Sequence, residues 1–386
     1  MRYSESVRLL HTADLQLGMP FNKIPGDRGS KLRELRLESI TRLGDLARRE
    51  SVEIVVVAGD LFDANTVDDR VVVQSLTRFR DIGLPVVVIP GNHDHCAGPA
   101  SVFRRPSFRD ARPDNLVVLE TREPHLVLGG RAIILPAPLL QRHEVADTTA
   151  HITRALGRDL APNAIRIGLA HGDVVGFKRD DDGDATNEIE ASRAALADLD
   201  YLALGDWHGM KRIDDRTWYS GAPEPTGFKQ NDPGYALVVD IVAHGAPAIV
   251  TPHRVARTRW LAHDAELHLA ADVDALAGWL AALEAPLDSV VKLDLRGALS
   301  LGESERLSTL LAKSEAQLLH LQHTAWRVLP LASDEELLAI ASDGFVKDAV
   351  DRLRALADGG GETGRRAALA LQVLHRLHRE AEAAAC

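Results

Sequence analysis

Short runs of apolar and β-branched residues recur along the first two-thirds of the chain. They lie at Val7 to His11, Val52 to Ala58, Pro85 to Ile89, Leu116 to Leu119, Ala132 to Leu135, Ile165 to Ala170, Tyr201 to Leu204 and Tyr235 to Ile241. Runs of this length and composition predict buried strands. Leucines recur at helical spacing over Lys31 to Arg49, and a second helical pattern covers Val71 to Arg80. The alternation of strand and helix predicts an α/β layered domain.

The pattern changes after about residue 256. The following residues predict a small α+β unit, with helices at Asp272 to Leu283 and Ser304 to Glu315 and strands at Val290 to Leu295 and Leu318 to Gln322. From Ser333 the pattern is helical apart from Asp358 to Gly361, and it ends in an amphipathic stretch from Arg365 to Ala384. We therefore predict three regions, at residues 1–255, 256–332 and 333–386.

The composition of the 386-residue chain is that of an ordinary folded protein with a main domain and one or two additions. Apolar residues make up 45% and charged residues 26%, so neither disorder nor a membrane protein is indicated, and no apolar run is long enough to span a bilayer. The N-terminal residues lack the apolar segment of a secretion signal, which favours a cytoplasmic location. Only Cys96 and Cys386 are present, which argues against a disulfide framework or a zinc–cysteine site.

The formal net charge of −11 is the opposite of what a free-standing nucleic-acid binder usually carries. Clustered Lys and Arg are favoured in such proteins because they displace counterions from phosphates. The charge therefore argues against tight unaided binding to DNA. It leaves room for a partner that holds most of the DNA, or for basic loops beside an acidic pocket, with Lys23, Arg28, Arg104, Arg105 and Arg109 as candidates.

Five polar segments each follow a predicted strand. They are Asp14-Leu15-Gln16, Gly59 to Asp63, Gly91-Asn92-His93-Asp94, His171-Gly172-Asp173 and Gly205-Asp206-Trp207-His208. Taken singly, such a segment is more typical of a turn or a helix cap than of a functional site. All five together place carboxylate, amide and imidazole groups at the carboxyl ends of strands, where α/β sheets carry their sites. The combination predicts a metal site built from distant parts of the chain.

In this order the five segments resemble the calcineurin-like metallophosphoesterase superfamily, and within it the SbcD-like nuclease subunits of bacterial double-strand-break repair complexes. The resemblance covers Leu9 to Asp14, Val57 to Asp63 and Pro90 to Asp94, and it continues past Tyr219 to Glu224. It implies a two-sheet core, a β-sandwich flanked by helices, as the nuclease domain. The α+β unit looks like the capping domain of those nucleases, and the C-terminal helical region looks like their ATPase-docking region.

The ligand pattern of the family, carried over residue by residue, implies two divalent metal ions. The first would be held by Asp14, Gln16, Asp60 and His208, and the second by Asp60, Asn92, His171 and Asp206. Two such ions can clamp the attacking and leaving oxygens of an in-line displacement. His93 is similar to the histidine that, in the family, protonates the leaving oxygen or stabilises the developing charge. Asp94 would orient that imidazole or a neighbouring loop, with a plain role in stabilising the turn as the alternative.

Two positions depart from the usual pattern of the family, because Gln16 and Asp206 stand where histidines are usual. Both replace a nitrogen ligand by oxygen, which favours manganese over zinc, with magnesium or iron(II) as alternatives. A neutral amide binds a cation more weakly than imidazole does, so we expect the first ion to be held loosely. Alternatively, Gln16 only hydrogen-bonds a metal-bound water.

The resemblance implies a manganese-dependent DNA exo- or endonuclease in DNA repair, which hydrolyses phosphodiesters by metal-activated water. DNA and an SMC-like ATPase of the SbcC type would be its partners, and a homodimer is left open. Two alternatives stand beside this reading. The same metal centre could act on smaller phosphodiesters or phosphoprotein, or the two ligand replacements could mark a weakly active scaffold that binds DNA ends or the ATPase.

Overall fold

The computed structural model describes residues 6–24, 26–176, 187–228, 231–330 and 345–364, together with residues 366–368, 370, 371, 373, 374 and 377. The chain divides into two compact units, Met1–Arg259 and Trp260–Cys386. The assignment of three regions with boundaries at residues 255 and 332 stays a prediction. Much of the predicted docking region lies outside the described residues, including residues 333–344 and the end of the amphipathic stretch from residue 378.

The first unit alternates strands and helices along the chain. Its strands are β1 (Val7–Thr12), β2 (Ile54–Val57), β3 (Val86–Val88), β4 (Leu116–Val118), β5 (His125–Val127), β6 (Ala132–Ala137), β7 (Ile165–His171), β8 (Asp173–Val174), β9 (Glu188–Ile189), β10 (Tyr201–Gly205), β11 (Lys211–Arg212), β12 (Thr217–Tyr219), β13 (Tyr235–Ile241) and β14 (Ile249–Arg254). Its helices are α1 (Gly26–Arg49), α2 (Asp69–Ile82), α3 (Pro106–Arg109), α4 (Arg154–Leu160) and α5 (Arg193–Leu196). The helix predicted from Lys31 thus begins earlier, at Gly26.

Most of these strands belong to two sheets of six strands each. The first has the order β14-β13-β1-β2-β3-β4, and the second has the order β11-β12-β10-β7-β6-β5. Strands β1 to β4 run parallel to one another, as do β6, β7, β10 and β12. The polar segments that follow β1, β2 and β3 therefore emerge at one edge of the first sheet. Those that follow β7 and β10 emerge at one edge of the second sheet.

Apolar side chains pack between the two sheets and on both of their outer faces. Leu9 and Val56 of the first sheet belong to one cluster with Ile167 and Leu169 of the second sheet. Other clusters join the first sheet to α1, α2 and α3, and cover the second sheet near α4 and α5. Each fully buried leucine, isoleucine or valine contributes about 1.5–3 kcal/mol of transfer free energy. The result is a two-sheet sandwich flanked by helices, which confirms the predicted fold class.

Helix α2 shows how the sequence places helices against the first sheet. It begins after Asp68, whose carboxylate accepts a hydrogen bond from the backbone N–H of Arg70 at 2.7 Å. It ends at Gly83, where the φ angle of 73° favours glycine. Its buried positions recur at helical spacing and pack in the core below the first sheet: Val72, Leu76, Phe79 and Ile82.

Most of the remaining elements form a smaller helix-and-sheet layer. They are β15 (Arg259–Leu267), α6 (Ala270–Ala281), β16 (Ser289–Leu299), α7 (Leu301–Gln317), β17 (His320–His323) and β18 (Val328–Pro330). A further helix, α8 (Phe345–Asp358), packs Val350 in a separate apolar cluster with Leu371. The sheet has the order β15-β16-β17, and β18 also pairs with β16. Leu276 of α6 and Leu311 of α7 share a core with Leu293 of β16. Among the residues described in either unit, no helix combines the length and apolar character needed to cross a bilayer.

Candidate metal centre

The polar segments found in the sequence meet where the strands of the two sheets end. Asp14 follows β1, Asp60 follows β2 and Asn92 comes shortly after β3 in the first sheet. In the second sheet, His171 is the last residue of β7 and Asp206 follows β10. Carboxyl ends of parallel strands are where α/β sheets assemble sites from distant segments.

Asp14, Asp60 and His171 form the tightest part of the cluster. One possible ligand atom from each lies within 4.8 Å of the other two, and all three residues are buried. Nε2 of His171 lies 3.0 Å from Oδ1 of Asn92 and 3.5 Å from a carboxylate oxygen of both Asp60 and Asp206. The backbone N–H of Asp206 also donates to both carboxylate oxygens of Asp14, at 3.1 and 3.2 Å. The structure thus brings five of the predicted ligands into one small pocket.

The backbone that carries these ligands is held in an unusual conformation. Asp14, Gln16 and Asp60 have φ angles of 53°, 44° and 50°, and such a conformation costs a non-glycine residue about 1–3 kcal/mol. Hydrogen bonds between the loops stabilise it, from Asp14 N to Gly59 O at 3.1 Å and from Gln16 N to Asp60 O at 2.9 Å. Gly59 is needed for close packing, because a Cβ there would lie 2.3 Å from Nδ1 of His171.

The ring of His171 is fixed with Nε2 toward the carboxylates. Its Nδ1–H donates to the carbonyl oxygen of Ala58 at 2.8 Å, since a carbonyl can only accept. Burial alone lowers the pKa of His171, but the carboxylates of Asp60, Asp206 and Asp14 outweigh burial and raise that pKa well above its usual value. The pocket therefore favours a positive charge at Nε2.

The pKa of Asp14 is also affected by the excess of negative charge in the cluster. Burial, together with the neighbouring carboxylates of Asp60 and Asp206, raises the pKa of Asp14 well above its usual value, against the opposing effect of His171. Carboxylates this close do not all ionise readily unless a cation compensates them. Carboxylate and amide oxygens with imidazole nitrogen are also the donors that divalent cations such as manganese take. The residues of the pocket therefore fit a divalent metal site.

Gln16 and His208 form the other half of the cluster and contact each other directly. The amide nitrogen of Gln16 lies 3.1 Å from Nε2 of His208, and Nδ1 of His208 lies 2.8 Å from the hydroxyl of Thr226. In a consistent arrangement, Gln16 donates to Nε2 while Nδ1–H donates to Thr226. Burial lowers the pKa of His208 to about 4, although Asp60 and Asp206 oppose the shift. The ring is therefore neutral near pH 7, which is the form that binds metals.

His93 lies beside the cluster with its ring oriented by the backbone. The backbone N–H of His93 donates to Oδ1 of Asp60 at 3.0 Å. Its Nδ1–H donates to the carbonyl oxygen of Asp63 at 2.7 Å. Nε2 is then the ring nitrogen that can exchange a proton with a substrate.

Asp94 lies in the same segment but bonds to backbone rather than to the imidazole. Its carboxylate accepts hydrogen bonds from the backbone N–H of Gly91 at 2.7 Å and of Phe62 at 3.0 Å. Burial, with a contribution from Asp60, raises the pKa of Asp94 to about 7, although both N–H groups oppose the shift. The bond to Phe62 holds a neighbouring ligand-bearing loop and the bond to Gly91 closes the turn of Asp94 itself, so these contacts fit both a loop-orienting and a turn-stabilising role.

One of the candidate basic residues, Arg105, is engaged inside the protein. Its guanidinium donates to the carbonyl oxygens of Asn65 and Val67, at 3.1 and 2.7 Å, and it pairs with the carboxylate of Asp69. These contacts hold the loop between β2 and α2. They make Arg105 a structural residue rather than a cation that awaits a phosphate.

Two residues that the sequence analysis did not single out support the loops of the cluster. Thr226 contacts the ring of His208, and the buried Arg36 of α1 donates to the carbonyl oxygens of Leu15 and Pro225, each at 2.8 Å. Thr226 left no sequence signal, because many surface threonines look alike. Arg36 did leave one, since it lies on the inward stripe of its helix, where a charge needs polar partners.

Comparison with known proteins identifies the class of this site. A family model described as "Calcineurin-like phosphoesterase" matches residues 7–245, which include every predicted ligand. The match covers more than half of the chain, so the chain belongs to the calcineurin-like phosphoesterase family. Metallophosphoesterases of this family bind divalent metal ions, in agreement with the donors gathered here. The superfamily predicted from the sequence is thereby confirmed.

Individual relatives are similar over the same region. The chain is 27% identical over 245 residues to "Uncharacterized metallophosphoesterase YhaO" of Bacillus subtilis (strain 168), covering 59% of this chain and 56% of that protein. It is 24% identical over 240 residues to "DNA double-strand break repair protein Mre11" of Methanopyrus kandleri, covering 58% of this chain and 50% of that protein. The chain thus spans about half the length of these relatives. A purple acid phosphatase, PPD1 from yellow lupin (Lupinus luteus) seeds, aligns with a TM-score of 0.39 and 15% identity, over 65% of this chain and 52% of that chain.

Proposed function

We propose that this chain is a DNA nuclease dependent on two divalent metal ions, which hydrolyses phosphodiesters in DNA repair as the nuclease subunit of an SbcCD-like complex. The observation that carries the proposal is the convergence of Asp14, Asp60 and His171, with ligand atoms within 4.8 Å of one another. The similarity to a protein named for DNA double-strand break repair supports DNA as the substrate.

The donor atoms of the cluster divide into two sets that share Asp60. Asp14, Gln16, Asp60 and His208 would hold one ion, and Asp60, Asn92, His171 and Asp206 would hold the other. Two divalent ions supply a polarised phosphate and a water activated as nucleophile. The sets are rich in oxygen donors, so we propose manganese as the metal, with magnesium or iron(II) as alternatives.

His93 acts as the general acid that protonates the leaving oxygen. To act as an acid, its ring must carry a proton on both nitrogens. The carbonyl of Asp63 accepts the Nδ1–H, so the proton at Nε2 is the one that passes to the leaving oxygen of the phosphodiester. The bond from the backbone of His93 to Asp60 keeps the acid beside the shared ligand.

The decisive experiment measures the hydrolysis of several substrates by wild-type protein and by variants in which the metal cluster is disrupted. Purified protein with manganese is offered double-stranded DNA, bis(p-nitrophenyl) phosphate, p-nitrophenyl phosphate and a phosphopeptide. We expect cleavage of DNA and of the small diester. Asp60→Asn and His93→Ala should abolish both activities, because one removes the shared ligand charge and the other removes the acid, while thermal unfolding stays cooperative.

Asp200→Asn is the matched control for Asp60→Asn. Asp200 is equally buried but lies before the start of β10, where its carboxylate accepts hydrogen bonds from the backbone N–H groups of Arg166 and Gly245 and from Nδ1 of His244. We expect it to cost stability and to leave DNA cleavage intact. Equal cutting by wild type and Asp60→Asn would remove the cluster from the chemistry. Activity confined to the small diester or the phosphopeptide would favour the alternative substrates, and binding of DNA ends without cutting would favour a scaffold.

We also propose that residues 333–386 dock onto an SMC-like ATPase that supplies most of the contact with DNA. The support is the amphipathic sequence from Arg365 and the net charge of −11, which disfavours unaided DNA binding. A chain truncated before Ser333 should still hydrolyse the small diester but should no longer co-purify with the co-expressed ATPase. Retained co-purification would reject the docking proposal.

A further inference from the structure

Arg36 is a buried arginine of α1, with only 2% of its surface exposed. Its Nη1 donates to the carbonyl oxygen of Leu15 at 2.8 Å. Its Nη2 donates to the carbonyl oxygens of Glu224 and Pro225, at 3.1 and 2.8 Å. All of these acceptors are backbone atoms, so the guanidinium ties two loops together rather than neutralising a single carboxylate.

Of the two loops joined by this guanidinium, one carries Gln16 and the other carries Thr226, which contacts His208 on the separate loop after β10. In one loop, Leu15 directly precedes Gln16. In the other, Pro225 directly precedes Thr226, whose hydroxyl contacts the ring of His208 at 2.8 Å. The distance between the Gln16 amide and the His208 ring, 3.1 Å in the structure, therefore depends on how closely the loops are held.

The second loop has an independent attachment to the rest of the domain through the side chain of Glu224. That carboxylate accepts hydrogen bonds from the backbone N–H of Arg257 and Thr258, at 2.7 and 3.2 Å, and pairs with Arg42 of α1. Loss of the Arg36 contacts would leave this loop attached to the domain. What would be lost is its tie to the loop that contains Gln16.

The first loop needs external support because its backbone is strained. Asp14 and Gln16 both have positive φ angles, and the carbonyl held by Arg36 belongs to the residue between them. The guanidinium also lies 5.6 Å from the centre of the Phe21 ring, further along the same loop. The planar fork reaches the two loops from two separate nitrogens, Nη1 and Nη2, which the single nitrogen of lysine does not reproduce, so lysine is not an equivalent residue here.

We propose that Arg36 is a positioning residue of the metal centre, which holds Gln16 and His208 at the spacing that binds the first ion. The inference rests on the proposed dinuclear function and deepens it. Removing residues that orient metal ligands typically lowers metal affinity about 10- to 100-fold. We expect Arg36→Gln to weaken the binding of one manganese ion by that factor and to leave the second ion unchanged.

Calorimetric titration of manganese into the metal-free full-length protein tests the inference. Wild type should bind two ions, Arg36→Gln should lose affinity for one, and Arg36→Lys should be intermediate because it keeps the charge but not the fork. The kcat of Arg36→Gln for the small diester should return to nearly the wild-type value at saturating manganese. The manganese concentration for half-maximal activity should rise.

Arg166→Gln is the matched control. Arg166 is as buried as Arg36 but lies at the start of β7, where it pairs with Asp198 at 2.7 Å. It is about 16 Å along the strand from His171, at about 3.3 Å per residue. We expect Arg166→Gln to lower the unfolding temperature and to leave both manganese affinities unchanged.

Several results would overturn the role of Arg36. One is that Arg36→Gln binds both manganese ions with wild-type affinity, and another is that the wild type binds a single ion. A third is that Arg36→Gln and Arg166→Gln lose the same affinity for both ions. Should Arg36→Gln fail to fold, the titration of Arg36→Lys decides by the same criteria. A wild type that binds two ions but hydrolyses no phosphodiester would contradict the proposed function, and the titration would still decide the role of Arg36.

Discussion

His171 and His208 belong to the same cluster, but their surroundings differ in charge. His171 points Nε2 at the carboxylates of Asp60 and Asp206, each at 3.5 Å, and its pKa is raised well above the usual value. His208 points Nε2 at the amide of Gln16, and burial lowers its pKa to about 4. His171 is buried and His208 is partly buried, and burial acts to lower the pKa of both rings, so burial alone does not explain the difference. The carboxylates beside each ring decide it.

The comparison divides the candidate metal centre into an anionic half and a neutral half. The anionic half, around Asp14, Asp60 and His171, already has an electrostatic need for a cation. The neutral half, Gln16 and His208, has correct donor atoms but little charge, so its affinity for a cation depends on how accurately the two side chains are placed. The proposed role of Arg36 belongs to this half, because Arg36 joins the loop of Gln16 to the loop whose Thr226 contacts His208.

The largest expected effect comes from removing charge from the anionic half. Asp14→Asn keeps the shape of the side chain but deletes a negative charge, and we expect manganese affinity to fall at least about 100-fold, because ligand charge is a main determinant of cation affinity. Gln16→Ala deletes a neutral donor and should weaken the first ion less than Asp14→Asn does, within the range of about 10- to 100-fold expected for Arg36→Gln, because the ligand charge is unchanged. Titration calorimetry on both variants measures the difference, and equal losses would abolish the division into two halves.

The second prediction concerns the protonation of the two histidines in metal-free protein. At pH 6 the ring of His171 should be protonated and that of His208 neutral, which NMR of the imidazole resonances can distinguish. His171 should stabilise the fold at low pH and lose that contribution as pH rises through its raised pKa. His208 should contribute above pH 6.5 and lose its contribution as pH falls toward about 4.

Proton release provides a control for this prediction. Manganese should displace the proton from Nε2 of His171, so its affinity should increase with pH and its binding enthalpy should depend on the ionisation enthalpy of the buffer. His208→Gln should leave this proton release unchanged, because the His208 ring carries no extra proton near pH 7. Two histidines that titrate together would contradict the contrast.

The smallest expected effect is an increase in the manganese affinity of the neutral half. Gln16→His replaces the amide by an imidazole, the ligand more usual in the family at this position, and should tighten the first ion by roughly tenfold, or about 1.4 kcal/mol. The second ion should not change. If calorimetry shows no gain and a manganese-soaked crystal places Gln16 away from the metal, Gln16 does not belong among the ligands.

Much of the fold could be predicted because the strands carry their own pattern. Apolar runs such as Ile165 to Ala170 are buried on both faces of a parallel sheet, so their composition alone indicates their structure. The start of α1 was placed too late, at Lys31 rather than Gly26, because the first turn contains two glycines and few apolar residues. Helix ends are set by local hydrogen bonds that periodicity does not report.

The candidate site could be predicted in part. Asp60, Asn92 and His171 stand in short segments after strands, and the order of those segments carried the resemblance to the family. The role of Asp94 could not be decided, because orienting the imidazole, orienting a neighbouring loop and stabilising the turn differ only in which group its carboxylate contacts. Thr226 could not be found at all, since its contact with His208 joins residues of two separate loops.

The sequence by itself determined which residue types stand after each strand, and therefore the chemical class of the site. That information is local, because a strand and the turn that follows it are specified by neighbouring residues. Only the tertiary structure decided the electrostatic difference between His171 and His208, and the tie that Arg36 makes between Leu15 and Pro225. The pKa of a buried side chain and the spacing of two loops depend on atoms within a few ångströms in space, whatever their distance along the chain.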